Sequence, residues 1–229
     1  MKRIRQLWWR VCDYAYAGVW QLRATLTRLR PESLLAGELR PVLVLPGVYE
    51  PWAFMLPLMR ELHRAGHPVH VVTALGRNRR PVEDAARAVG DYLARAGLTD
   101  VVIVAHSKGG LIGKQVMAFG ASAPRIRAML AIATPFAGSR YASFMLNRTL
   151  RAFSPRNAAL VALGRSQAVN SRIVSLFPAF DPHIPEGSEL AGAANVRVPT
   201  PGHFRVLGDE RARAVALRVA AGELPPFAG

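Results

Sequence analysis

A run of five apolar residues, Val101-Val102-Ile103-Val104-Ala105, passes without a break into His106-Ser107-Lys108-Gly109-Gly110-Leu111. A run this continuous and this rich in β-branched residues reads as a strand buried on both faces. The pattern after it, over 107–119, is helical. Ser107 therefore falls on a tight strand-to-helix turn, with Ala105 two positions before it and Gly109 two positions after. Small residues at both places let strand and helix approach closely around a strained backbone. A phosphate site at the helix N-terminus is the competing use of such a turn. Neither the Walker spacing nor G-x-G-x-x-G is present, which disfavours it.

The rest of the chain alternates in the same way from Pro41 onward. Apolar runs at 42–45, 69–73, 101–105, 126–133, 172–176 and 195–198 read as strands. Helical patterns at 52–65, 82–96, 107–119 and 209–221 separate them, closed by Gly66, Gly97 and Gly222. Strands alternating with helices imply right-handed crossovers and a mostly parallel sheet of about six strands with helices on both faces. Such sheets carry their sites at the carboxyl ends of the strands, so the residues just after each strand matter most. The segment 141–170 reads equally well as a cap over that edge or as a plain crossover helix.

Composition narrows the chemistry. Of the 229 residues 51% are hydrophobic, enough for a full core and too many for wholesale disorder. The single cysteine, Cys12, removes intramolecular disulfides and cysteine metal clusters. His63, His67 and His70 lie near Glu61, but Gly66 and Pro68 break the helix between them, and a metal site is not expected. The net charge is +15, which suits a polyanionic partner or follows from arginine usage alone. No nucleic-acid-binding module accompanies it, so no nucleic acid is expected as a partner. Arg77, Arg79 and Arg80 follow the second strand, either as a solvated turn or as a clamp for an acidic headgroup.

Residues 1–40 form an N-terminal helical arm before the domain at 41–229. Ile4, Trp8, Val11, Ala15, Val19, Leu22, Leu26 and Leu29 recur at helical spacing until Pro31, among seven basic residues and the single acid Asp13. Asp13 and Gln21 interrupt the apolar stretch and no small-residue cleavage site follows, so no cleavable signal peptide is expected. Two readings stand. The arm packs its aromatics on its own domain, or residues 1–31 lie in a membrane interface. The expectation is a cytoplasmic protein, peripheral at a membrane on the second reading.

The strand–turn–helix around Ser107 is the context of the G-x-S-x-G nucleophile, here with alanine in place of the first glycine. With the alternation from Pro41 to Ala221, the chain resembles serine hydrolases of the α/β-hydrolase fold. Small lipases and esterases whose elbow begins with alanine are the most similar. The resemblance implies hydrolysis of carboxylic esters, on lipid-like acyl substrates, through an acyl-enzyme. Ser107 would be the nucleophile. The backbone N–H groups of Val48, in Leu45-Pro46-Gly47-Val48-Tyr49, and of Lys108 would form the oxyanion hole. Similar lipases carry histidine where Pro46 stands. Thr134-Pro135-Phe136-Ala137-Gly138-Ser139 resembles their T-P-x-x-G-S segment.

Chain order in that fold is serine, acid, histidine. Downstream of Ser107 stand only His183 and His203. His203 lies between the last strand and the last helix, where the base belongs; His183 would crowd the acid. Asp181, in Phe180-Asp181-Pro182-His183-Ile184-Pro185, matches the D-x-x-V/I-P pattern of the family, ahead of Glu186 and Glu189. No metal or organic cofactor is required. An acyltransferase or thioesterase would use the same three residues, and a non-catalytic peripheral membrane-binding protein of the same fold is the remaining class.

Overall fold

The computed structural model describes residues 2–224. Its six strands are β1 (Val42–Leu45), β2 (Val69–Val71), β3 (Val101–His106), β4 (Ile126–Ile132), β5 (Ile173–Pro178) and β6 (Ala194–Val198). They form one sheet in the order β2-β1-β3-β4-β5-β6, every neighbouring pair parallel. Four central strands, β1, β3, β4 and β5, are apolar and almost wholly buried, as expected where helices cover both faces. Edge strand β6 alternates instead, with Asn195 and Arg197 outward.

Seven helices surround the sheet: α1 (Lys2–Leu26), α2 (Leu56–Arg64), α3 (Val82–Arg95), α4 (Lys108–Phe119), α5 (Arg148–Arg151), α6 (Ala158–Arg165) and α7 (Glu210–Ala220). Two apolar cores result, one on each side. One joins α2, α7 and part of α1 to Val44, Val104 and Leu130. The other joins α3, α4 and α6 to Leu43, Ile103 and Met129. Alternate residues of each strand thus serve opposite layers.

Segment 141–170 is not one crossover helix. It is a short 3-10 turn (Arg140–Phe144) followed by α5 and α6, each capped by an asparagine. Asn147 accepts from the N–H groups of Thr149 and Leu150, and Asn157 from that of Leu160.

The arm departs from its apolar stripe in a specific way. α1 is one 25-residue helix that stops at Leu26. It lies on the domain through a second face, where Asp13 and Ala24 are buried and Trp9, Ala17 and Trp20 half-buried. The stripe from Ile4 to Leu26 points the other way. Periodicity finds stripes, and α1 has two.

Candidate active site

The turn after β3 is a single residue wide. β3 ends at His106 and α4 begins at Lys108, so Ser107 alone reverses the direction, at φ +50° and ψ −118°. That region is strained for any residue with a Cβ. Its N–H is anchored to the carbonyl of Ile132 at 2.8 Å. The glycines follow from the crowding. A Cβ on Gly109 would stand 2.1 Å from the Leu45 carbonyl oxygen, and one on Gly110 2.0 Å from Thr134 Oγ1. Ala105 is wholly buried between Leu45 and Ala131 of the neighbouring strands.

The sequence-derived base and acid meet this serine. His203 follows β6, and its Nε2 lies 3.0 Å from Ser107 Oγ. Its Nδ1 lies 2.8 Å from Asp181 Oδ2, in the loop after β5. The other carboxylate oxygen accepts from the N–H groups of His183 and Ile184 at 2.8 and 3.1 Å. All three side chains are nearly inaccessible. Burial opposes charge on His203, but the charge and hydrogen bond of Asp181 outweigh it and raise the imidazole above its ordinary value. Burial likewise pushes the Asp181 carboxyl up. The charge and hydrogen bond of His203, with the His183 N–H, outweigh that and leave it below its ordinary value.

The competitors lie elsewhere. Glu186 pairs with Arg140 at 2.7 Å, and Asp209 caps α7 through the N–H groups of Arg211 and Ala212. His183 lies tilted against His203, ring centroids 4.9 Å apart. Burial first, then the neighbouring His203, lower its pKa to about 4. It lines the pocket and makes no hydrogen bond to Ser107. His67 and His70 serve locally, bonding the Arg40 carbonyl and the Tyr92 hydroxyl.

Sequence reasoning missed three supporting side chains. Asp13 of α1 is wholly buried, and its carboxylate accepts from the N–H groups of His203, Phe204 and Arg205, each at 2.9 Å. A Cβ on Gly202 would lie 2.4 Å from its Oδ1, which is why glycine precedes His203. Glu50 accepts from the Gly47 N–H at 2.7 Å and faces His106 Nδ1 at 2.9 Å. His106 Nε2 in turn faces the His203 carbonyl at 3.0 Å. One buried chain of bonds therefore joins the turn after β1, the elbow and the base loop. The third is the Lys108 side chain. Its Nζ donates to the carbonyls of Asn78 and Arg80, and burial brings its pKa down to about 8. That ties the 77–80 loop down, and Arg77 reaches back to Tyr49 and Thr25.

The Ser107 hydroxyl opens into a pocket of about 560 Å³. Val48 lines it beside the serine. Lys108 is the first residue of α4, where a backbone N–H has no partner within the helix. Much of its lining is apolar, supplied by Ala142, Met145, Leu150 and Phe153 with Ile184 and Phe204. α1 contributes Arg10, Tyr14, Ala17 and Gln21. A hydroxyl hydrogen-bonded to an imidazole, itself held by a carboxylate beside an apolar pocket, is equipped for nucleophilic attack on a carbonyl.

No protein-family model matches the chain, and no curated protein matches it in sequence. Solved structures do. Aspergillus fumigatus lipase B superposes over 83% of this chain and 58% of its own, at TM-score 0.67 and 18% identity. Bacillus licheniformis lipase BlEst2 in its propeptide form matches over 85% of this chain and 55% of its own, at TM-score 0.65 and 11% identity. The chain thus spans little more than half the length of either. The monoacylglycerol lipase of Paleococcus ferrophilus matches over 82% of this chain and 98% of its own, at TM-score 0.58 and 15% identity. At such identities the likeness is one of architecture, and the chain has the α/β-hydrolase fold.

Proposed function

We propose that the protein is a serine hydrolase that cleaves carboxylic esters carrying an apolar acyl group. The observation that carries this reading is the continuous line Ser107 Oγ, His203 Nε2, His203 Nδ1, Asp181 Oδ2, with gaps of 3.0 and 2.8 Å. Ser107 Oγ attacks the ester carbonyl while His203 takes its proton. The negative charge that develops on the carbonyl oxygen falls to the N–H groups of Val48 and Lys108, worth about 3 kcal/mol per donor in related acyl transfer. His203 then gives the proton to the departing alcohol, leaving an acyl-serine. Water enters, His203 takes its proton, and the acid is released with Ser107 restored. Asp181 keeps the proton of His203 on Nδ1 and stabilises the imidazolium.

The acyl preference rests on the pocket wall. Met145, Leu150, Phe153 and Ile184 offer an aliphatic or aromatic chain apolar contact, worth about 0.8 kcal/mol per buried methylene. Lipases among the structural neighbours are consistent with that choice.

Treatment of the folded protein with a fluorophosphonate tests the reading. Phosphonylation is expected at Ser107 and is expected to vanish in Ser107→Ala. Folded wild-type protein that remains unlabelled, or labelling that survives the substitution, overturns it.

A further inference from the structure

The outer face of α1 is wrong for a helix exposed to water. Its buried face runs through Trp9, Asp13, Ala17, Trp20 and Ala24. Directly opposite, at the same helical spacing, Ile4, Trp8, Val11, Val19, Leu22 and Leu26 stand 47–75% exposed. A surface helix normally turns polar residues outward. Here the arginines flank the stripe instead. With 100° of rotation per residue, Arg5 and Arg23 fall along one margin of the outer stripe, and Arg3 and Arg10 along the other. Arg5 and Arg23 lean over the rings of Trp9 and Trp20 at 4.9 and 5.0 Å, which holds their heads at the rim.

A second element repeats the pattern at the same pocket. Tyr141 and Met145 line the pocket to which α1 also contributes, and beside them Phe144 and Leu146 are 85% and 97% exposed. Charge points to the occupant. Asp13, the one acid of the first 31 residues, is sequestered under three N–H groups. From residue 101 to residue 180 the chain has no aspartate or glutamate at all, and the stretch beside Phe144 carries Arg148 and Arg151 besides Arg140, which Glu186 pairs.

We infer that the outer face of α1, together with the Phe144–Leu146 tip, docks the protein on an anionic membrane surface with its pocket mouth turned to the lipid. The helix lies in the interface and does not span it: among the described residues no helix is long and apolar enough to cross a bilayer. An apolar stripe sinks to the headgroup–acyl boundary while flanking arginines meet lipid phosphates. Tyr14 and Arg10, which line the pocket, then stand at the lipid surface, so an acyl ester reaches Ser107 without crossing water. The docking rests on α1 and the tip and is independent of the chemistry at Ser107.

Vesicle flotation of the full chain tests the inference, with vesicles of phosphatidylcholine alone and of phosphatidylcholine with about a third phosphatidylglycerol. The protein is expected to float with the anionic vesicles, at least tenfold more weakly with the neutral ones, and less as salt screens the charges. Trp8→Ser with Val11→Ser and Leu22→Ser removes outward side chains only. It should weaken binding at least tenfold while the melting temperature stays within a few degrees. Phe144→Ser with Leu146→Ser leaves α1 intact and should weaken binding several-fold, which covers the case in which the triple variant fails to fold. Failure of the wild type to float with anionic vesicles overturns the inference, as does undiminished binding by both variants. So does a wild-type dimer that the triple substitution dissociates in the absence of flotation, since the stripe would then be an interface between copies. Loss of fluorophosphonate labelling with flotation intact would bear on the proposed hydrolase alone.

Discussion

Asp13 and His203, 190 positions apart, are joined by a 2.9 Å hydrogen bond from the His203 N–H to the Asp13 carboxylate. With Phe204 and Arg205 bonded to the same group, the loop that presents the imidazole is held from the N-terminal helix. α1 is therefore part of the site and not an appendage to it.

Asp13→Asn replaces one acceptor oxygen with a donor that faces backbone N–H groups. The loss is about 1–3 kcal/mol per unsatisfied buried group. If part of that appears as misplacement of His203, kcat on a soluble ester should fall roughly tenfold to a hundredfold, with KM little changed. A pH profile separates this from plain destabilisation. Asp13 is among the anions that raise the His203 pKa, and in the proposed mechanism His203 is neutral when it accepts the serine proton. Removing the anion lowers that pKa, so the acid limb of kcat should move to lower pH. An unmoved limb would show that Asp13 supports the fold and does not tune the base.

The strands and the sharp turn at Ser107 are legible because their signals are local. Val42–Leu45 is bounded by Pro41 and Pro46, and Ser107 by the small residues its turn demands. His203 and Asp181 followed from chain order and from the ends of β5 and β6. Asp13 was not legible, because its three partners lie about 190 residues downstream and nothing around it marks a cap. Its visible trace was an interruption of an apolar stretch. The orientation of α1 was ambiguous for a different reason. Ile4–Trp8–Val11 and Trp9–Asp13–Ala17 both satisfy helical spacing, and only the shape of the domain selects the face that packs. The role of the Lys108 side chain is not legible, because the motif around Ser107 marks only its backbone N–H, whereas its amine holds the loop at Asn78 and Arg80.

Glu50→Gln should loosen the turn that carries Val48. The carboxylate receives Gly47 N–H and faces His106 Nδ1 together, whereas a neutral amide with one acceptor oxygen takes the charge assistance from both contacts. A loss of about 1–3 kcal/mol is expected, visible as a melting temperature lower by several degrees. Because His106 also meets the His203 carbonyl, kcat should fall alongside. A variant that melts as wild type with unchanged kcat would show that the chain of bonds supports neither the turn nor the base loop.

Lys114 should be a net cost to the fold. It is buried in α4, its Nζ has no hydrogen-bond partner among the described residues, and it sits 5.8 Å from the Phe136 ring. Burial lowers its pKa from 10.5 to about 8. In that interval the unfolded chain binds more protons than the folded one, so this group's penalty is complete below pH 8 and fades as pH rises toward 10.5. A shift of that size is at most about 3 kcal/mol, and the ring contact returns about 1 kcal/mol. Lys114→Met keeps the stem and removes the charge. Its melting temperature should exceed the wild type's at pH 7, and the gap should narrow by pH 10. Melting curves at the two pH values check this, and a gap independent of pH would contradict it.

Ser107 carries a cost of its own. At φ +50° and ψ −118° a side chain is strained by about 1–3 kcal/mol. Glycine accepts that conformation but adds about 0.5–1 kcal/mol of chain entropy in the unfolded state. Strain is the larger, so Ser107→Gly should be more stable than Ser107→Ala by about 1 kcal/mol. Both variants lose the bond to His203, so the comparison isolates the backbone. In a chain of this size the difference corresponds to a melting temperature about 2–4 °C higher. Calorimetry on the two variants measures it, and neither should react with a fluorophosphonate. If Ser107→Ala melts at or above Ser107→Gly, the elbow stores no strain and its sharp turn reflects packing of Gly109 against Leu45 alone.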